Sequence, residues 1–105
     1  MDEATFDQAA RDELRHLEDA FAAVDPDDVD VSTSDGVLRL ELRDGTKIVI
    51  NSHRAARQIW MAAVATAWHF DPADAGAWRA SKSGEELRAT LTRLVHDHVG
   101  VTIAL

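Results

Sequence analysis

Cysteine is absent from the 105 residues of the chain. Its absence excludes a disulfide, a thiolate metal site and a cysteine nucleophile, and it is compatible with a reducing compartment. No apolar run approaches the roughly 20 residues that a membrane-spanning helix needs. The N-terminal segment is acidic and amphipathic and lacks the apolar core of a signal peptide. We therefore expect a cytoplasmic protein that does not associate with a membrane.

Positive charge is also scarce. Lysine and arginine together number 11 against 19 aspartates and glutamates, which gives a formal net charge of -8. Nucleic acids and anionic lipids select basic surfaces, so neither is expected as a partner. The composition instead favours a cation or a basic protein surface.

Catalytic motifs are missing from the chain. It has no G-x-S-x-G elbow, P-loop, Rossmann glycine pattern or H-E-x-x-H zinc motif. A ferroxidase is disfavoured because the full constellation of Glu and Glu-x-x-His ligands of a buried di-metal centre is absent. We expect a protein that is not an enzyme. The histidines form no convincing ligand set and are expected at the surface, namely His16, His53, His69, His96 and His98.

Two segments have the apolar spacing of three and four residues that is typical of an amphipathic helix. The first covers residues 5–24 and should end at Asp25-Pro26, because a residue before proline is disfavoured in the helical region. The second should open with a capping box at "SGEE" (83–86) and stop at Gly100. The apolar tail that follows it should dock on the domain.

Between these helices the apolar period falls to two, which is typical of half-buried strands. The "RDGT" stretch (43–46) predicts a two-residue type I′ hairpin, because Asp-Gly tolerates two positive φ angles. The "SDGV" stretch (34–37) suggests a second tight turn. Strands are expected over residues 29–33, 38–42 and 46–50, twice within 57–71, and over 77–81.

Together these elements predict a single α+β domain over residues 1–105. The economical arrangement is a two-layer α/β sandwich, with two helices packed on one face of a five- to six-stranded antiparallel sheet. Trp60 should lie on the other face, where an exposed aromatic often anchors an interface. Trp68, Phe70 and Trp78 should lie in the core. The side chains expected on the open face are Arg39, Glu41, Arg43, Lys47, Val49, Asn51, Gln58 and Trp60.

Acidic residues crowd the end of the first helix and the segment after it. Six carboxylates fall within the 14 residues 18–31, with no Lys, Arg or His among them. Near a helix C-terminus the macrodipole disfavours each anion by about 0.3–1 kcal/mol, and the carboxylates also repel one another. One explanation is a solvated face that only keeps the protein soluble. The other is a cation or a basic partner that relieves the charge.

The chemistry of this acidic ridge limits the cation. Carboxylate oxygens are hard ligands, suited to Mg, Ca, Mn or iron. Exposed groups on a helix do not converge into a cage, so binding should be weak, hydrated and poorly selective. The predicted metal ligands of the ridge are Asp7, Glu18, Asp19, Asp25, Asp27, Asp28 and Asp30.

An ordered series of segments carries a family resemblance. The acidic first helix leads into "DPDDVDV", "DGVLRLELRDGTKIVIN", "QIWMA", "WHFD" and a tryptophan before "SGEEL". The series resembles the frataxin family, in particular its bacterial members, over essentially the whole chain. The chain departs from the family where "SHRAAR" (52–57) lacks a common proline and where "AVATA" (63–67) replaces a turn that carries glycine.

The resemblance implies the sandwich fold and a role in iron–sulfur cluster assembly. It implies weak binding of ferrous or ferric iron, or of other divalent cations, by carboxylates of the first helix and strand. It also implies contact with cysteine desulfurase and iron–sulfur scaffold proteins, in which Asn51, Gln58 and Trp60 match the family's contact residues. A monomer of the bacterial cytoplasm is expected, with an iron-dependent oligomer as an alternative state.

Two functional hypotheses follow. In the first, the chain binds iron and regulates cluster assembly or supplies iron to it. In the second, the chain is a metal-independent acidic adaptor that uses the same ridge and the same sheet face. The response to added metal distinguishes the two.

Overall fold

The structure is a computed structural model that describes residues 1–105. Six strands follow their sequence order in one antiparallel sheet, and a helix stands at each end of the chain. Neither helix has the length and apolar character that crossing a bilayer requires. The elements are α1 (Glu3–Ala22), β1 (Val29–Ser34), β2 (Val37–Leu42), β3 (Lys47–His53), β4 (Gln58–Ala63), β5 (Thr66–Pro72), β6 (Trp78–Ala80) and α2 (Leu87–Val99).

The predicted two-layer sandwich is confirmed. Alternate side chains of the strands and one stripe of each helix meet in a single core, so both helices cover the same face of the sheet. The expected core aromatics Trp68, Phe70 and Trp78 are buried in it. The tail docks as expected, because Ile103 is buried in the core and the carbonyl of Leu105 accepts from Arg88 of α2 at 3.1 Å. The largest fully buried side chains include Phe6, Phe21, Phe70, Leu17, Leu38, Leu40, Leu42, Ile48, Ile50, Ile59, Met61 and Leu87.

The first helix begins and ends two residues earlier than its apolar pattern predicts. Asp2 caps it, because its carboxylate accepts a hydrogen bond of 2.7 Å from the amide of Thr5. Ala23 forms the C-terminal cap, and the last turn of the helix holds no basic residue. The loop to β1 therefore starts before Asp25 and carries the following acidic residues away from the helix axis.

The two predicted turns differ from each other in kind. Asp35 and Gly36 have φ angles of 54° and 75°, which is the two-residue type I′ geometry. The type I′ prediction for 43–46 is wrong, because only Gly45 there has a positive φ. Leu42 donates to the carbonyl of Thr46 at 2.8 Å and accepts from the amide of Gly45 at 2.8 Å, which closes a three-residue loop.

The predicted capping box of α2 is also wrong. Glu86, not Ser83, is the N-terminal cap, and its carboxylate accepts from the amides of Arg88 and Ala89. The shift arises because Glu86 is held in an extended conformation by an antiparallel bridge to Arg79 in the middle of β6. Helical geometry can therefore begin only after Glu86. The predicted stop at Gly100 is confirmed, with φ 71°.

Candidate functional site

The acidic ridge forms a line rather than a cage. Its members extend from α1 through the following loop into β1, and no group of three or more His, Asp or Glu side chains converges on a point that could hold a metal ion. Hard, exposed oxygen donors in such an arrangement suit a hydrated cation held by one or two carboxylates. The donor set thus fits weak binding of a hard cation such as iron in oxygen coordination.

Arginines from distant segments neutralise two of the predicted ridge ligands. Asp7 is paired with Arg54, whose Nη2 lies 2.8 Å from Oδ2. Asp28 is paired with Arg43 from the turn between β2 and β3. The sequence places Arg43 on the open face of the sheet, which is wrong, because its guanidinium also donates to the carbonyl of Val99 at the end of α2. The turn carries Arg43 beyond the last pair of β2 with β1, so strand alternation no longer applies to it.

The remaining ridge acids have no cationic partner within 4.0 Å. Glu18 accepts a hydrogen bond from the hydroxyl of Thr33 in β1, which fixes the end of the helix to the first strand. Asp25 accepts from the amide of Asp27 at 2.9 Å. The ridge ligands for which the structure records no side-chain hydrogen bond and no ion pair are Asp19, Asp27 and Asp30.

The ridge members also differ in position. Asp7 precedes Glu18 by eleven residues, so the two lie about 16 Å apart along the helix axis. Asp30 alternates with the buried Val29 and pairs across the strands with Glu41, so it lies on the open face of the sheet. The structure therefore places Glu18 and Asp19 on α1 beside Thr33 of β1, and Asp25 and Asp27 in the loop that leads into β1. Asp28 is held by Arg43, and Asp7 and Asp30 lie apart from the others.

The predicted contact residues of the sheet do lie side by side. Asn51 in β3 pairs directly with Trp60 in β4, and Trp60 pairs with His69 in β5. The indole nitrogen of Trp60 donates to Oε1 of Gln58 at 2.8 Å, and the amide of Gln58 donates to Asp71 at 3.0 Å. This network fixes Trp60 and Gln58 relative to each other on the open face.

Two histidines complete this surface by stacking on Trp60, which the sequence did not predict. The rings of His53 and His69 lie parallel to the indole of Trp60, with centroid distances of 3.9 Å and 4.3 Å. The position of His69 could have been predicted from the sequence. A tight hairpin between β4 and β5 places residue 69 directly across from Trp60. His53 pairs with Gln58 and reaches Trp60 diagonally, which requires knowledge of the register.

Two helices on one face of a six-stranded antiparallel sheet, with an acidic first helix, define the class to which the chain belongs. The sequence model of the Frataxin-like domain matches residues 1–101. The chain belongs to the frataxin family, and within it to the bacterial CyaY type. The "Iron-sulfur cluster assembly protein CyaY" of Ralstonia pickettii strain 12J is 36% identical over 108 residues, which cover 100% of this chain and 95% of that protein.

Solved structures of the family agree with this assignment. The frataxin of Psychromonas ingrahamii superposes with a TM-score of 0.87 at 26% identity, over 98% of this chain and 96% of that chain. The trimeric frataxin of Saccharomyces cerevisiae, in its complex with ferrous iron, superposes with a TM-score of 0.77 at 32% identity, over 89% and 87% of the two chains.

Proposed function

We propose that this chain is a single, non-enzymatic frataxin-like domain that binds iron weakly at the acidic ridge and regulates iron–sulfur cluster assembly, or supplies iron to it. Contact with cysteine desulfurase and scaffold proteins would occur through the ridge and through the surface of Asn51, Gln58 and Trp60. Curated relatives are named as cluster assembly proteins, and a frataxin neighbour forms a complex with ferrous iron. These two facts motivate the proposal.

The observation that carries the proposal is the excess of carboxylates without an ion-pair partner at the corner where α1 leads into β1, in which Arg11 and Arg15 are the only nearby basic residues of the groove beside Glu18 and Asp19. Asp19 stands in the last turn of α1, where no basic residue offsets the negative end of the helix dipole. Asp25 and Asp27 follow it without an ion-pair partner. A bound cation or an approaching basic surface removes this repulsion, so the corner gains free energy from either event.

The chemistry of the corner predicts how iron would bind there. Each iron ion would be held by one or two exposed carboxylates, and water would complete its coordination sphere. Asp19 and Asp27 are the ligands with most freedom, whereas Glu18 and Asp25 each accept one hydrogen bond from the protein. At Asp28 and Asp7 a metal cation would have to compete with the paired arginine for the carboxylate. Asp30 would bind a cation on the open face of the sheet.

A charge-reversal experiment tests the proposal. Asp19→Lys combined with Asp27→Lys should abolish the paramagnetic broadening of ridge resonances by ferrous iron under anaerobic conditions. It should also weaken binding to a desulfurase–scaffold complex. The matched control is Asp12→Lys combined with Asp74→Lys, which changes the net charge equally away from the corner. Equal broadening and equal binding in both double variants would reduce the ridge to a solubility feature.

The alternative function is a metal-independent adaptor. It is favoured by the arginine pairs of Asp7 and Asp28, which show that this surface already accepts guanidinium groups, and by the lack of a convergent site. Calorimetry with ferrous iron, manganese and calcium separates the two functions. No heat at millimolar metal, together with salt-sensitive binding to desulfurase, would support the adaptor. Sedimentation with and without iron then tests whether the chain stays monomeric.

A further inference from the structure

The open face of the sheet holds a stack of three rings. The indole of Trp60 lies within 3.9 Å of the ring of His53 and 4.3 Å of the ring of His69, measured between centroids, with interplanar angles of 9° and 13°. Two parallel rings at such distances cannot share one face of the indole, so they cover opposite faces. Trp60 therefore presents no free face to a partner in this arrangement.

His53 is the more buried of the two histidines at its Nδ1 atom, which has no hydrogen-bond partner. His53 Nδ1 is a buried side-chain nitrogen without a hydrogen-bond partner, and the structure contains no other such atom. A neutral imidazole fits this place, because an unprotonated Nδ1 carries no hydrogen that needs an acceptor. An imidazolium carries a hydrogen on both nitrogens, and one of them would point into a site without an acceptor.

The two histidines should consequently respond to acid in different ways. His69 is exposed, so a charge on its ring would be solvated while the ring stays on the indole face. A charged His53 in its present position would bury an Nδ1–H without an acceptor, so we expect the charged ring to move out of the stack until Nδ1 reaches water. Imidazole changes charge between about pH 5 and 8, so this response falls in an accessible range.

Charged groups around the stack do not replace the missing acceptor. Next to His53, Arg54 is held by Asp7 and Glu3 of α1. Across the sheet, the Asp71 carboxylate is engaged by Gln58 and lies opposite Arg79. On the outer side of His69, Lys82 and Glu85 line an open hollow, in which Glu85 is paired with Arg93. The structure records no hydrogen bond from any of these groups to His53.

We propose that His53 is a positioning residue for Trp60: neutral His53 closes the stack, and protonation of His53 releases it and frees one face of the indole. The consequence for partner binding rests on the function proposed above, whereas the opening of the stack does not. A free indole face would add an aromatic contact to whatever binds the surface of Asn51, Gln58 and Trp60.

Indole resonances test the opening directly. The chain has three tryptophans, and Trp60→Phe identifies the Nε1–H cross-peak of Trp60 in a ¹H–¹⁵N spectrum. On going from pH 7.5 to 5.5, this peak should shift and show exchange broadening in the wild type. His53→Phe, which keeps a flat ring that cannot titrate, should suppress the broadening. His53→Gln, which removes the ring, should give the open-state shift at both pH values.

The remaining resonances and variants provide controls. The peaks of the buried Trp68 and Trp78 report whether each variant is folded. His96 is exposed and lies outside the stack, so in His96→Gln the Trp60 peak should respond to pH as it does in the wild type. In His69→Phe the Trp60 peak should still show the shift and broadening that His53 causes between pH 7.5 and 5.5. A Trp60 peak that titrates unchanged in His53→Phe, or that does not respond to pH in the folded wild type, would overturn the proposal.

Binding to a desulfurase–scaffold complex forms a separate arm. Relative to His53→Phe, the wild type should gain affinity between pH 7.5 and 6.0 by roughly two- to tenfold, the range expected for one aromatic contact. Division by the His53→Phe value cancels any titration of the partner. A ratio that stays at one while the stack opens would overturn the link to binding. An absence of binding in every variant would refute the proposed function and leave the spectroscopic result intact.

Discussion

Glu13 on α1 and Arg88 on α2 form a bidentate ion pair that joins the two helices. Arg88 Nε donates to Oε2 at 2.9 Å and Nη2 donates to Oε1 at 2.7 Å. The side chain of Glu13 is 4% exposed and that of Arg88 is 39% exposed. The hydrogen bonds to Glu13 raise the pKa of Arg88 above its ordinary value. The buried carboxylate therefore depends on a partner that itself still reaches water.

We expect the two halves of this pair to differ in their effect on stability. Arg88→Met leaves a buried carboxylate without a counterion and should lower the free energy of unfolding by about 3 kcal/mol. Glu13→Leu leaves an arginine that can turn to solvent, so it should cost about 1 kcal/mol. Urea denaturation measures both. The double variant should recover most of the loss.

The control for this prediction is the exposed pair of Arg93 and Glu85, whose side chains are 51% and 37% exposed. Arg93→Met should change the free energy of unfolding by less than about 1 kcal/mol. Equal losses for Arg88→Met and Arg93→Met would contradict the importance of burial.

The sequence could have shown half of this pair. Glu13 interrupts the apolar stripe of α1 between Ala10 and Leu17, which is a signal for a buried, partnered carboxylate. Its partner is 75 residues away, and only the packing of α2 beside α1 makes the choice of Arg88 visible. Arg43 as the counterion of Asp28 was open to prediction, because a tight turn at 35–36 places residues 28 and 43 opposite each other in the hairpin of β1 and β2. Periodicity predicts the face of an element, but it does not predict which distant cation approaches that face.

A second prediction concerns Asp44 in the turn between β2 and β3. Its carboxylate accepts from the amide of Thr46 at 2.9 Å and contacts His98 Nδ1 at 2.7 Å, and the Thr46 hydroxyl lies 3.1 Å from the same His98 nitrogen. The Thr46 amide is the largest cause, followed by the Thr46 hydroxyl and His98, and together they lower the pKa of Asp44 from 3.8 to about 2. Because the folded-state pKa lies below the unfolded value, this contribution to stability is present above pH 4 and is lost as the pH falls toward 2.

Thermal unfolding between pH 2 and 5 measures the contribution of Asp44. Asp44→Asn should have a lower Tm than the wild type at pH 5, and the difference should shrink as the pH approaches 2. The carboxyl resonance of Asp44 followed by NMR should place its pKa at about 2, below the ordinary value of 3.8. A difference in Tm that is constant across this range would contradict the prediction.

A third prediction concerns the tip of the hairpin between β4 and β5. Val64 has a φ of 57°, and its side chain is 77% exposed. A β-branched residue in the left-handed region costs about 1–2 kcal/mol, and an exposed side chain returns little packing. Val64→Gly should therefore raise the free energy of unfolding, by about 1 kcal/mol after the added flexibility of the unfolded chain is subtracted.

Ala65 provides the matched control, because its φ is not positive. Ala65→Gly should destabilise the protein by about 0.5–1 kcal/mol, since it adds unfolded-state entropy without relieving strain. Denaturation midpoints at constant m-value report both changes. A loss of stability in Val64→Gly would show that the tip is not strained.

The turns also show which parts of the fold were open to prediction. Strand alternation placed Leu38, Leu40 and Leu42 in the core correctly, because period two depends only on local geometry. The Asp-Gly pair at 44–45 suggested a type I′ turn, but the hydrogen bonds of Asp44 to Thr46 and His98 accompany a three-residue loop. His98 comes from the far end of α2. A tertiary contact thus accompanies a turn that local propensity does not predict, as the bridge between Arg79 and Glu86 does at the start of α2.

The last prediction concerns the stability of the acidic ridge in the absence of metal. Asp19 lies in the last turn of α1 without an ion-pair partner, so the helix dipole and the adjacent Glu18 oppose its charge, and Arg15 one turn earlier offsets part of this penalty. Asp19→Lys should raise the free energy of unfolding by about 1 kcal/mol at low ionic strength. The gain should shrink in 0.5 M salt, which screens exposed charges. Asp12→Lys in the middle of the helix, far from the negative end of the dipole, should give a clearly smaller gain. If the two substitutions stabilise the apoprotein equally, the ridge carries no specific electrostatic penalty, and a cation would have little repulsion to relieve.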